Sequence, residues 1–260
     1  MNKQQWMLII GSVAMILILY FGFDTKPPKQ RLIEKSRAGD VELQELQNEI
    51  RAAKASLPED QRKYIQGIEH VLEGAEDDTL KSEALRTLSG TWYELGAYLP
   101  AGYYAEQLAE SVQTAESWGI AGSTYGAALT QKRTEDQSRL ASSSAVRCFE
   151  NAISLDPDHI DYRINLAIIY AEVPPAENPM KGIQSLLDLN RQYPENTSVL
   201  YHLARFGMRT GQYEKAKERL EKALSLAPDE NRLNCLMAEL LKETGEQTQV
   251  EQFQKKCNSQ

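Results

Sequence analysis

The sequence predicts an all-α protein in which helix pairs stack into a solenoid behind one N-terminal transmembrane helix. Three observations carry that expectation. The run Trp6–Phe23, WMLIIGSVAMILILYFGF, is apolar and carries no charge. The rest of the chain shows amphipathic helical stretches and no alternating strand pattern of useful length, so no βαβ unit can be drawn. In the C-terminal half a helix–turn–helix unit of about 34 residues recurs in phase, with Pro157, Pro194 and Pro228 closing successive units.

The N-terminal run accounts for the first element. Eighteen residues of helix span about 27 Å, close to the roughly 30 Å of a bilayer's hydrocarbon core. Trp6 at one end and Tyr20, Phe21 and Phe23 at the other suit the two interfacial belts. The run ends in bulky residues and not in a small-x-small cleavage site, so an uncleaved single-pass anchor in a bacterial inner membrane is expected over a removed signal peptide. Lys26, Lys29, Arg31, Lys35 and Arg37 follow the run, against Lys3 before it. That bias predicts a body facing the cytoplasm rather than the periplasm.

Residues 24–40 contain Pro27 and Pro28 and read as a polar juxtamembrane linker running into a short helix, and 41–84 as an amphipathic helical segment. Leu43, Leu46, Ile50 and Leu57 form a stripe near heptad spacing, which suits a helix packed on its neighbour or a short coiled-coil seam. Pro58 opens a further helix with Ile65, Ile68, Val71 and Leu72 on one face. Thr79–Leu99 places Leu80, Ala84, Leu85, Leu88, Trp92 and Leu95 at helical spacing, with Pro100 as the expected break.

The C-terminal half carries the decisive pattern. Within Thr197–Glu230, Leu200, Leu203 and Ala204 lie in a first helix, Gly211 and Tyr213 form a turn, and Ala216, Leu220, Ala223 and Pro228 follow. One earlier unit pairs Trp118, Ala121, Gly122 and Tyr125 with Ala145, Phe149, Ala152 and Pro157, separated by extra residues around KRTEDQSRLAS. Another pairs Leu166, Ala167 and Tyr170 with Gly182, Leu186, Leu189 and Pro194. A last unit begins at Met237, Ala238 and Leu241, turns at Gly245 and ends in a polar segment suited to a solenoid cap. Upstream, Trp92, Leu95, Gly96 and Tyr98 look like one more first helix, with Tyr103, Tyr104, Leu108 and Ala109 on its second.

This arrangement resembles the tetratricopeptide repeat (TPR), over about four to five units in residues 85–258, the last degenerate. The resemblance implies a right-handed superhelix whose concave face is lined by first helices and binds peptides or helices of other proteins. Known bacterial relatives with one N-terminal membrane helix include a regulator of lipopolysaccharide assembly and a c-type cytochrome biogenesis factor. The four-cysteine metal knuckle of the former has no counterpart here.

By repeat phase the groove receives Asn165 and Ile168 from one unit, Tyr201, Arg205, Met208 and Arg209 from the next, and Arg232, Glu239 and Lys242 from the last. The arginines either grip an acidic segment of a partner or pair with nearby glutamates. The net charge of −8 argues against a nucleic-acid-binding body.

Cys148, Cys235 and Cys257 are odd in number and form no CxxC, so neither a disulfide framework nor a cysteine zinc site is expected. His70, His159 and His202 lack ligand spacing, and Glu73–Asp78 lacks EF-hand spacing and reads as a polar turn. No cofactor, metal or catalytic residue is expected, because nothing resembles a nucleophile elbow, a P-loop or a dinucleotide turn, and the carboxylates fall on solvated faces and turns. The expected function is a membrane-tethered adaptor or scaffold that binds protein or peptide, in assembly of cell-envelope complexes. The alternatives are a self-associating, homo-oligomeric assembly element and a periplasmic chaperone-like factor of the cytochrome c biogenesis type.

Overall fold

The computed structural model describes residues 2–22 and 28–258, with the backbone alone for 8, 14, 16–22 and 28–38. The chain divides into two compact units, 1–48 and 49–260. Thirteen helices and no strand occur among the described residues.

The first unit holds α1, Lys3–Gly22, and the start of α2, Pro28–Ser56. Helix α2 is continuous, so the short helix expected at the end of the linker begins at Pro28 and runs on through Val41 without a break. Among the described residues no helix is long and apolar enough to cross a membrane. The expected anchor over 6–23 is therefore not supported by them. Part of the apolar run, and the basic flank of Lys26, Lys29, Arg31, Lys35 and Arg37, lie outside the described residues and side chains.

The second unit begins with the end of α2 and α3, Glu59–Gly74, followed by five helix pairs. Ala53, Leu57, Ile68 and Leu72 pack against a core of Ile65, Leu85, Leu88, Trp92, Ala101 and Tyr104, the behaviour of a helix packed on its neighbours. The acidic stretch before α4 is a turn, in which the Asp77 carboxylate accepts the Thr79 N–H at 2.8 Å and caps that helix.

The pairs are α4–α5 (Asp78–Glu94, Tyr98–Val112), α6–α7 (Ala115–Ala128, Glu135–Leu155), α8–α9 (Ile160–Glu172, Lys181–Gln192), α10–α11 (Thr197–Arg209, Tyr213–Leu226) and α12–α13 (Asn231–Thr244, Gln247–Asn258). Each helix packs on its neighbour in sequence, and α6, α8, α10 and α12 also adjoin one another in order. Helices α7, α9 and α11 end two residues short of Pro157, Pro194 and Pro228, because the residue before a proline is driven out of the helical region.

Three turns share one geometry. Gly96, Gly211 and Gly245 take φ of +71°, +72° and +80°, the left-handed region open to glycine. Each stands two residues ahead of a second helix, so the upstream repeat is phased differently from the sequence expectation. Leu85, Leu88 and Trp92 hold the places relative to Gly96 that Leu200, Leu203 and Gly207 hold relative to Gly211. Tyr98 starts α5 and does not end a first helix, and Pro100 lies in the first turn of α5, where a missing N–H costs nothing.

Close approach within each pair depends on small residues. Ala101, Ala145 and Ala216 are fully buried. At Gly182 the backbones themselves meet, since a Cβ there would stand 2.3 Å from the Ala171 nitrogen and 2.6 Å from the Ala167 carbonyl oxygen. The inserted segment KRTEDQSRLAS mostly lengthens α7, which has 21 residues against 14 in α11.

The last pair corrects the cysteine expectation. Cys235 and Cys257 form a disulfide, with sulfurs 1.96 Å and Cα atoms 4.7 Å apart. An odd number of cysteines left Cys148 as the unpaired one, buried in α7. Closing a loop of 22 residues stabilises the fold by about 3 kcal/mol in the chain-entropy view.

Candidate partner-binding groove

The candidate face is built on α10. The Asn196 side chain caps this helix by accepting the Val199 N–H at 3.0 Å. Apolar Val199, Leu200, Leu203, Ala204 and Phe206 turn inward, which leaves Tyr201, Arg205, Met208 and Arg209 on a stripe at helical spacing. Tyr201 and Met208 pack against the core of Leu233, Leu236 and Met237. Ile168 of α8 packs on the core that includes Ile164, Leu203 and Phe206, and Asn165 is half-buried on the same helix.

The arginines are organised by a residue that repeat phase did not single out. Glu172, the last residue of α8, accepts from Arg205 Nη2 at 2.7 Å through one carboxylate oxygen and from Arg209 Nη1 at 2.6 Å through the other. Both guanidinium groups also lie over the Phe206 ring, at 4.8 Å and 5.3 Å from its centroid. Two cations thus share one carboxylate. Arg205 Nε is buried and unpartnered.

Arg232, in the first turn of α12, pairs with Glu230 and sits 5.2 Å from the centroid of Tyr201. Tyr201, Arg205, Arg209 and Arg232 therefore gather around α10. Lys242, further along α12, donates to Gln254 at 2.8 Å, and Glu239 is exposed.

His202 lies beside this row, its ring 5.0 Å from that of Tyr201 and its Nδ1 buried without a partner. Burial, then the charges of Arg205 and Arg232, lower its pKa to about 4, so the imidazole is neutral near pH 7.

A second polar centre lies upstream and departs from the expectation that carboxylates are solvated. Glu106 of α5 is 7% exposed. It accepts from Tyr125 Oη at 2.9 Å, from Arg147 Nε at 2.8 Å and from Arg147 Nη2 at 3.1 Å. Burial and the Glu106 charge push the Tyr125 phenol and the Cys148 thiol well above their ordinary pKa values.

Residues 183–246 match the tetratricopeptide-repeat family model. No curated protein matches the chain. Among solved structures the chain is similar to TTC0263, a thermophilic TPR protein of Thermus thermophilus. The TM-score is 0.50 at 19% identity, covering 77% of this chain and 98% of that one. It is also similar to MamA, residues 41 to the end, from Desulfovibrio magneticus RS-1. There the TM-score is 0.44 at 16% identity, covering 68% of this chain and 93% of that one. At such identities the Thermus protein's likeness bears on the fold alone: an all-α array of TPR-like helix pairs.

Proposed function

We propose that this protein is a TPR scaffold that binds an acidic segment of a partner protein along α8, α10 and α12, tethered to a membrane through residues 6–23. The observation that carries the binding reading is the sharing of Glu172 between Arg205 and Arg209 beside Arg232 and Tyr201. One carboxylate cannot neutralise two guanidinium groups, so a partner carboxylate gains charge-assisted hydrogen bonds there. Tyr201 offers the partner an aromatic surface. The groove reading concerns Asn165, Ile168, Tyr201, Arg205, Met208, Arg209 and Arg232.

The tether reading rests on the uncharged apolar run 6–23 of the sequence, most of which falls in α1, although among the described residues that helix is not long and apolar enough to cross a membrane. Trp6, Met7, Ile9, Ile10, Val13 and Met15 are all exposed on α1. The alternative of self-association is favoured by a shallow apolar groove between α3 and α4, where Tyr64, Val71 and Leu80 are exposed.

The test is titration of the full-length protein in detergent with a fluorescent Asp/Glu-rich peptide. Glu172→Gln, which frees both guanidinium groups, is expected to tighten binding. Arg205→Glu with Arg209→Glu is expected to abolish it with helicity retained. Raising salt well above about 0.15 M weakens an exposed electrostatic contact. Binding that survives both the charge reversal and high salt would rule this face out. Sedimentation of the same samples separates the two functions: a stable oligomer without peptide affinity supports self-association.

A further inference from the structure

We propose that the repeat body matures in an oxidising compartment outside the cytoplasm, where the Cys235–Cys257 disulfide fastens the terminal helix of the solenoid. Cys235 lies in the second turn of α12 and Cys257 in the last turn of α13, so the bond joins the C-terminal end of α13 to the start of α12.

Helix α13 needs such a fastening. Its sequence QTQVEQFQKKCN is mostly polar. Val250 is its one buried residue, and Phe253 adds partial packing. Of the neighbouring ion pairs, Lys256–Asp229 is exposed and contributes little, while Lys217–Glu246 is half-buried and holds the turn before α13 and not its far end. In α11, by contrast, Ala216, Leu220 and Ala223 are fully buried and close the hairpin with apolar packing. The covalent link stands where the apolar packing supplied by the second helix is limited to Val250 and Phe253.

The remaining cysteine makes this pairing clean. Cys148 is fully buried and its thiol is held protonated by burial, so it does not compete in exchange. Bond formation removes two protons and two electrons from the Cys235 and Cys257 thiols. The oxidant is the disulfide of a thiol–disulfide exchange protein. One cysteine thiolate attacks it, forming a mixed disulfide and releasing one oxidant sulfur as thiolate. The second cysteine attacks its partner's sulfur, releasing the other, and the oxidant leaves as a dithiol.

Compartment follows from chemistry: cytosolic thiols are kept reduced, while structural disulfides persist in exported proteins. This opposes the sidedness expected from Lys26, Lys29, Arg31, Lys35 and Arg37. Those five residues lie in the flank where the charge bias counts, whereas a long domain's own charges count little in its translocation, and the repeat body of residues 49–260 is such a domain.

The experiment uses the full-length protein made in bacterial cells with its N-terminal run intact. Cells are quenched in acid, and the denatured protein is labelled with a mass-tagged maleimide before and after reduction. One reactive thiol before reduction and three after are expected, with none and two for Cys148→Ala. Three thiols before reduction would overturn the disulfide. An alkaline phosphatase fused after Gln260 is expected to be active. A disulfide found together with an inactive phosphatase would overturn the compartment while leaving the fastening intact. Hydrogen exchange then tests the fastening: Cys235→Ser is expected to lose protection in α13 and keep it in α10, and unchanged protection in α13 overturns that role.

Discussion

The upstream and downstream repeats bury ionisable groups in opposite ways. Glu106, between α5 and α7, is enclosed with three hydrogen bonds from Arg147 and Tyr125. His202, on α10, is enclosed with its Nδ1 unpartnered and cationic neighbours on either side. A buried charge persists when its partners are fixed in place, and a buried base without partners gives up its charge instead. The upstream centre is therefore a fixed ionic joint, and the downstream one a group kept neutral first by burial and then by its arginines.

Removing one side of the joint is expected to have the largest effect. Arg147→Met leaves the Glu106 carboxylate buried and short of donors, a change that costs about 3–5 kcal/mol in a buried pair. The lower half of that range is expected because the Arg147 side chain is 45% exposed. Urea denaturation followed by circular dichroism measures it. Glu106→Leu combined with Arg147→Met removes both charges and should recover part of the loss. A double variant no better than the sum of the single ones would show that the two residues do not act as a pair.

Downstream, the hairpin is closed by size and not by charge. Ala216→Leu forces a branched side chain into the contact facing Gly207, whose added Cβ would lie 3.5 Å from the Ala216 Cβ. Overpacking of this kind costs about 1–3 kcal/mol. An unchanged melting temperature would show that α10 and α11 do not touch at that position.

These two regions also differ in how far the sequence announces them. The α10–α11 pair was legible because each position asks for one chemical property: a left-handed glycine at 211, a small residue at 216, large and small apolar residues at 220 and 223. The α4–α5 pair misled because Trp92, Leu95 and Gly96 imitate a first-helix pattern, while the structure uses Gly96 as the turn. Glu106 was not legible at all. Glu221 follows Ala216 at the interval by which Glu106 follows Ala101, and it is exposed. What differs is the supply of donors from Tyr125 and Arg147, on two other helices. Glu172 escaped for a similar reason, since it reaches its arginines from one repeat upstream. The disulfide joins residues 22 apart, and an odd count gave no rule for which two of three cysteines meet.

The smallest effect expected is the pH response of His202, and it separates the two kinds of burial most directly. Its pKa is about 4 in the fold against an ordinary 6.5. Below pH 6.5 the unfolded chain therefore binds a proton that the folded chain refuses. Stability from this residue is intact above about pH 6.5, falls as pH drops towards 4, and is flat below. The loss between pH 7 and pH 5 is roughly 1–2 kcal/mol. Comparing wild type with His202→Gln in urea at both pH values isolates it, because the carboxylates titrate alike in the two proteins. Equal losses would mean that the imidazole is hydrated and keeps its ordinary pKa. The same titration bears on the groove. An acidic peptide seated between Arg205 and Arg232 offsets the two charges that help to keep His202 neutral, so its NMR titration should move upward when the peptide is bound. A bound peptide that leaves the titration unmoved would have to sit elsewhere on the protein.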